Sequence, residues 1–214
     1  MKYDTVIWDF NGTLVDDAML GIRSVNRMLE ARGLRPISGV EEYRERFFFP
    51  VEEYYRGLGF DFDAEPYADL AKEWFEAYLA GEPQLLPMEG AKEALELIRN
   101  AGLRQIILSA SESALLKRQL DRFGFTEYFD EIIGGDNFLA GGKAETARAR
   151  LGEKNHRCAM IGDTSHDFDT AVAIGAEPYL FSGGHESAAR LSLTGAVVMG
   201  SLTDICRCII SKNM

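Results

Sequence analysis

Four short stretches carry side chains suited to chemistry: Asp9-Phe10-Asn11-Gly12-Thr13, Ser109-Ala110-Ser111, Gly141-Gly142-Lys143 and Gly162-Asp163-Thr164-Ser165-His166-Asp167. The carboxylates of Asp9, Asp163 and Asp167 are hard oxygen ligands of the kind magnesium takes. Lys143 supplies a point cation, and Ser109 a hydroxyl donor, for phosphoryl oxygens. Together these residue types describe a magnesium and phosphate site, with Asp9 its first candidate.

Such a site needs an element that brings distant residues together. Residues 5 to 10 form a β-branched and aromatic run that stops abruptly at Asp9, as a strand covered on both faces would. From Asp16 to Gly33 apolar residues recur at helical spacing, with Asp16 or Asp17 placed to cap the first turn and act near a hinge. Helical patterns follow over 40–49, 51–58 and 66–80, and residues 16 to 82 show no convincing strand. After Pro83 helix and strand alternate: helices over 90–100, 112–123, 143–151, 166–174, 185–191 and from 202, and strands over 104–108, 131–133, 157–161, 178–181 and 196–199. This alternation predicts an α/β fold, a parallel sheet with helices on both faces. In such a sheet the carboxyl ends of the strands share one edge, where Asp9, Asn11, Ser109, Lys143, Asp163 and Asp167 would converge. The domains expected are an α/β unit of 1–15 plus 83–214 and an all-helical insertion of 16–82, which would sit over the site as a lid.

The 214 residues suffice to bury a core, and a net charge of -11 argues against tracking a nucleic-acid backbone. No apolar run approaches the roughly twenty residues of a membrane span, and the N-terminus has no signal pattern, so a cytoplasmic protein without a membrane partner is expected. Cys158, Cys206 and Cys208 lack metal-like spacing and read as reduced, structural thiols.

The order DFNGT, a strand ending at Ser109, Lys143, then GDTSHD at 162–167 resembles the haloacid dehalogenase superfamily of phosphohydrolases. The helical insertion is similar to that of the helical-cap subclass, which includes phosphoglycolate phosphatase. The resemblance implies a Rossmann-like core, a small phosphorylated metabolite as substrate and Mg2+ as cofactor. It makes Asp9 the nucleophile that becomes an aspartyl phosphate. It assigns the metal to Asp9, the backbone carbonyl of Asn11, Asp163 and Asp167. It places Thr13, Ser109, Ala110 and Lys143 around the phosphoryl group.

One position departs from the family. The phosphatases carry a second aspartate, the general acid and base, where this chain has Asn11, and an amide cannot transfer that proton. The amide can still orient a water or leaving oxygen, so the binding site is expected to survive while turnover falls, least for acyl and aryl phosphates. A phosphoryl transferase or mutase, and a non-catalytic phosphate-ligand binder, are the alternative functions. His166 reads as a loop histidine and Lys72 as a residue of an ordinary amphipathic helix. Phe47-Phe48-Phe49 and Trp74-Phe75 read as packing, and Arg44 and Arg46 as a solvated face that would reach an anionic substrate only under a closed lid. Deamidation at Asn11-Gly12 is expected to be slight if the loop is held.

Overall fold

The computed structural model describes residues 2–135, 142–152, 155 and 157–213. Gly141, part of the predicted lysine segment, lies outside them. The predicted alternation is present. Strands β1 (Thr5–Trp8), β4 (Arg104–Glu112), β5 (Glu131–Gly135), β6 (Cys158–Gly162), β7 (Glu177–Phe181) and β8 (Val197–Met199) form one parallel sheet in the order β5-β4-β1-β6-β7-β8. The helices of this part are α5 (Ala91–Asn100), α6 (Ser113–Phe123), α7 (Lys143–Leu151), α8 (Ser165–Ile174), α9 (Ala188–Ser192) and α10 (Leu202–Ser211).

Side-chain alternation along the central strands assigns the two faces. Val6 and Trp8 of β1, Ile107 of β4, and Ala159 and Ile161 of β6 pack with apolar residues of α5, α6 and α10. Ile7, Ile106, Leu108 and Met160 point the other way, onto Ala147 of α7 and Ala171 and Ile174 of α8. A strand buried on both faces reads as an unbroken apolar run, which is why Thr5–Trp8 stands out in the sequence. Trp8 is wholly buried, with its indole N–H satisfied by Gln105 Oε1 at 3.0 Å. Each such fully buried apolar side chain stabilises the fold by about 1.5–3 kcal/mol.

The chain leaves β1, builds β4 and β5 on one side, then crosses to β6 on the other, so the order of the strands reverses at β1. The crevice beyond the carboxyl end of such a strand is where an open α/β sheet takes its ligands. Trp8 lies level with Ile107 and Ile161. Asp9, Ser109 and Asp163, one or two residues further on, therefore emerge at a common edge.

Helices α1 (Ala18–Ala31), α2 (Val40–Arg46), α3 (Val51–Leu58) and α4 (Tyr67–Gly81) lie between β1 and β4 and share a core of their own, including Ile22, Val25, Met28, Tyr55 and Leu70. Contrary to the expectation that residues 16 to 82 hold no strand, Asp16 belongs to β2 (Val15–Asp16), which pairs antiparallel with β3 (Leu86–Pro87) and pins the way in and out of the helical segment. Two-residue strands are too short to show a period of two, and their pairing is non-local. β4 also runs past the predicted end at Leu108 to Glu112, through an irregularity in its pairing with β5. No described helix is long and apolar enough to cross a membrane.

Candidate active site

Asp9 emerges from β1 buried, and its backbone N–H donates to Ile161 O at 2.8 Å, fixing it against β6. Its Oδ1 accepts from the ammonium of Lys143, the first residue of α7. The same Nζ donates to Asp167 Oδ1 at 2.5 Å. Asp167 opens α8 and serves that helix as well. Its Oδ2 accepts from the N–H groups of Asp163 and Thr164 and from Thr164 Oγ1, while Thr164 Oγ1 accepts from Asp167 N, closing a capping box. Asp163 accepts from Thr13 Oγ1 at 3.0 Å and from His185 N at 2.6 Å. Carboxylate oxygens of Asp9, Asp163 and Asp167 all lie within 4.8 Å of one another.

Charge does not balance in this cluster, because one buried ammonium faces three buried carboxylates. Burial pushes the Asp9 carboxyl up to about 6, against the pull of Lys143 and with a further push from Asp167. Burial also drives Asp163 well above the usual carboxylate range, despite His185, and Asp9 adds to the rise. Asp167 is buried too, but the Lys143 ammonium holds it below the ordinary value. A tight set of hard oxygen donors carrying surplus negative charge fits a divalent cation of the magnesium type. Gly12 and Gly184 leave Asp163 its room: a Cβ on either would stand 2.3 Å or 2.1 Å from Asp163 Oδ2.

Asn11 is held in a second network. Its Nδ2 donates to Asp17 Oδ2 at 2.7 Å and to Tyr78 Oη at 3.2 Å, and its Oδ1 accepts from Ser111 Oγ at 2.6 Å. Both N–H donors are thus spent on the protein, which corrects the expectation that the amide is available to donate to a water or leaving oxygen. Asp17 also receives the Gly12 N–H at 2.9 Å and the Tyr78 hydroxyl at 3.0 Å, and pairs with His185 Nε2 at 3.2 Å. Burial alone would raise Asp17, yet His185 and these donors bring it below the ordinary carboxylate value. Burial alone would lower His185, yet Asp17 first, then Asp163 and Asp9, lift it to about 9, so it is an imidazolium at neutral pH.

This geometry revises several expectations. Asp17 occupies the N-cap position of α1, but its side chain makes no capping bond; it turns inward to four donors, those of Asn11, Gly12, Tyr78 and His185, of greater worth to a buried carboxylate. Asp16 lies in β2. Thr13 is fully buried behind Asp163 rather than on the cavity wall, while Ser109 and Ala110 are on that wall beside Asp9. Ser109 Oγ accepts the Ser111 N–H at 3.0 Å. His166 is in the first turn of α8, not a loop, and stacks on Phe49 with ring centres 4.6 Å apart. Arg44 and Arg46 stay off the cavity wall. Arg44 instead donates to Gly184 O at 2.7 Å and to Gly183 O, and Arg46 pairs with Glu42.

Sequence reading did not single out His185, Tyr78 or the inward role of Asp17. For His185 a signal existed, since Gly183-Gly184-His185 follows the carboxyl end of yet another strand. Tyr78 had none, being one aromatic among many on α4.

A cavity of about 160 Å³ opens over Asp9. Its floor holds the carboxylates, Lys143 and Ser109, and its far wall is made by α1–α4 and the turns between them. Phe47, Phe49, Trp74 and Phe75 belong to that wall, so these aromatics face the cavity as well as packing.

Residues 6–179 match the family model for haloacid dehalogenase-like hydrolases. Over an alignment 216 positions long, gaps included, the chain is 26% identical to the phosphoglycolate phosphatase of Caulobacter vibrioides, covering 94% of this chain and 88% of that one. It is 27% identical to the tyrosine-protein kinase PtkA of Mycobacterium tuberculosis, covering 91% of this chain and 67% of the relative. Among solved structures, a predicted phosphatase from Clostridium acetobutylicum superposes with a TM-score of 0.78 at 20% identity, over 99% of this chain and 100% of that one.

Proposed function

The chain belongs to the haloacid dehalogenase-like hydrolases and is a phosphatase, and we propose that it is magnesium-dependent and works through an aspartyl phosphate on Asp9. The observation that carries this reading is the meeting of Asp9, Lys143, Asp163 and Asp167 at the carboxyl end of β1.

In this reading an oxygen of Asp9 attacks phosphorus in line with the departing oxygen, and Lys143 neutralises charge shared by Asp9 and the phosphoryl group. Ser109 and Ala110 hold phosphoryl oxygens at the end of β4. Thr13 acts through Asp163, which it keeps oriented. Asp9, Asp163, Asp167 and the carbonyl of Asn11 hold the metal. Lewis-acid polarisation of the phosphoryl group is the chemistry magnesium supplies there when bound. Residues 16–82 act as a helical cap on a core of 1–15 plus 83–214, with the β2–β3 ribbon at the hinge; they exclude water and enclose a small phosphorylated substrate. The three free thiols, two of them buried, agree with a reducing cytoplasmic compartment.

Asn11 favours substrates whose leaving oxygen is stable without a proton, such as acyl phosphates and phosphorylated phenols. Because an amide is not a base, and its Oδ1 already accepts from Ser111, water attack on the aspartyl phosphate has no base at this position. That same observation supports a second reading, phosphoryl transfer to an acceptor alcohol. Release of inorganic phosphate from acetyl phosphate, followed with magnesium and with chelator, tests the first reading. Phosphate release that depends on magnesium and disappears in Asp9→Asn is expected. Transfer to added glycerol in place of release establishes the second, and turnover by Asp9→Asn rejects both.

A further inference from the structure

The cavity wall opposite Asp9 is aromatic, and among the described residues its one counter-charge for an anion is already paired with a carboxylate. Tyr43, Phe47, Phe49, Tyr54, Trp74 and Phe75 all face the cavity, and among the described residues that line it the only lysine or arginine is Lys143. Lys143 is already shared by Asp9 and Asp167. The stretch 136–141, outside the description, contains neither lysine nor arginine in its sequence. His185, the imidazolium on the wall, is held by Asp17 on one side and by Tyr43 Oη, at 2.9 Å, on the other. A substrate with a second anionic group, such as a carboxylate beside its phosphate, would lose its hydration there and find no partner.

Size and polarity point to what does fit. The cavity, at about 160 Å³, is comparable with an apolar cavity of about 150 Å³ that takes a benzene ring. Aromatic walls bind a planar ring edge-to-face or offset-stacked. Two buried polar atoms on wall residues, Tyr54 Oη and His166 Nε2, have no hydrogen-bond partner among the described residues.

We infer that the substrate is the phosphate ester of a small phenol with no second anionic group, its ring lying against the aromatic wall while its phosphate meets Asp9. This rests on the phosphatase reading above and names its substrate class. Asp9 forms the new P–O bond, the aryl O–P bond breaks, and the phenolate leaves with the electron pair and takes its proton from water. Water then cleaves the aspartyl phosphate to inorganic phosphate and free Asp9. A phenolate is a far weaker base than an alkoxide, so its departure tolerates the amide at position 11.

The test compares kcat/KM, with magnesium, for phenyl phosphate, 4-carboxyphenyl phosphate, 2-phosphoglycolate and acetyl phosphate. The two aryl esters have leaving groups of similar basicity, so their ratio reports the wall alone. At least a tenfold preference for phenyl phosphate over 4-carboxyphenyl phosphate is expected, mainly through KM, and a larger one over 2-phosphoglycolate. Val51→Arg, which places a cation on the wall, narrows the first ratio. Equal or better use of either carboxylated substrate by the native protein overturns the inference. Acetyl phosphate separates the two claims, since it has a stable leaving group and no ring. If it too is untouched, the phosphatase reading fails. Calorimetric binding of phenylphosphonate against phosphonoacetate then decides the wall: tighter phenylphosphonate supports the inference, and equal or tighter phosphonoacetate overturns it.

Discussion

Asn11 and Asp17 touch side chain to side chain, amide Nδ2 to carboxylate Oδ2 at 2.7 Å, so position 11 acts as a donor toward a buried acid. An aspartate in its place would set two carboxylates in contact, and one of them would have to keep a proton. Asn11→Asp is therefore expected to introduce a neutral acid at neutral pH, the form needed to protonate a leaving alkoxide. Turnover of alkyl phosphates should rise by about 10²- to 10⁴-fold, and that of aryl phosphates much less. Stability should respond to pH in a definite direction. The new carboxyl has a folded pKa above its unfolded value near 3.9, so its penalty is absent below about pH 4 and grows as pH rises toward the folded pKa. Urea unfolding of both proteins at pH 5 and pH 8 checks this. A gap between variant and native protein that is the same at both pH values would count against the contact.

The committed Asn11 amide affects the two chemical steps unequally. With a phenolate leaving group the first step needs no acid, but water attack on the aspartyl phosphate still lacks a base. Stopped-flow release of 4-nitrophenol from 4-nitrophenyl phosphate should then show a burst close to one equivalent per active site, followed by a slower steady rate. Asn11→Asp should shrink the burst by speeding the second step. A native time course that is linear from the first turnover would place the slow step at or before phosphoryl transfer.

The core was legible in the sequence because its strands are buried on both faces: Thr5–Trp8 and Cys158–Gly162 are continuous apolar runs ending in a carboxylate or a glycine followed by one. The same ends located Asp9, Ser109 and Asp163, since parallel strands share one carboxyl edge. What stayed hidden depends on side-chain direction. Asp17 sits where a helix cap belongs, and only tertiary contact with Gly12, Asn11, Tyr78 and His185 turns it inward. The β2–β3 ribbon joins residues some seventy positions apart through two residue pairs, below any periodic signal. Phe47 and Trp74 have the spacing of core residues, and nothing local distinguishes a ring facing other rings from one facing a cavity.

Arg44 on α2 clasps the loop after β7. Its Nε donates to Gly184 O at 2.7 Å and a terminal N–H reaches Gly183 O, while Ser187 N returns a bond to Arg44 O at 3.2 Å. This fork joins the helical segment to the loop that carries His185. Arg44→Lys keeps the charge but loses the paired geometry. It should raise KM several-fold with a smaller effect on kcat, and speed hydrogen exchange at residues 183–187. The change should cost about 1–3 kcal/mol of stability or less, since the guanidinium satisfies two carbonyls. Unchanged exchange in this loop would show that the fork does not hold the segment down.

Deamidation of Asn11 requires the Gly12 backbone nitrogen to attack the side-chain carbonyl. In the folded chain that nitrogen donates its proton to Asp17 Oδ1 at 2.9 Å, Gly12 is fixed at a φ of +75°, and the Asn11 amide is gripped by Asp17, Tyr78 and Ser111. Native protein stored at neutral pH should therefore keep an unmodified peptide across positions 9–14, whereas protein held in urea should gain about one dalton there as the restraints vanish. Asp17→Ala removes both the acceptor for Gly12 and the main anchor of the amide, and should deamidate under native conditions faster than the parent. Peptide mass spectrometry over a storage series reads all three. A one-dalton gain in the folded native protein at the rate seen in urea would mean that the loop is not held, and that an acid forms at position 11 with age.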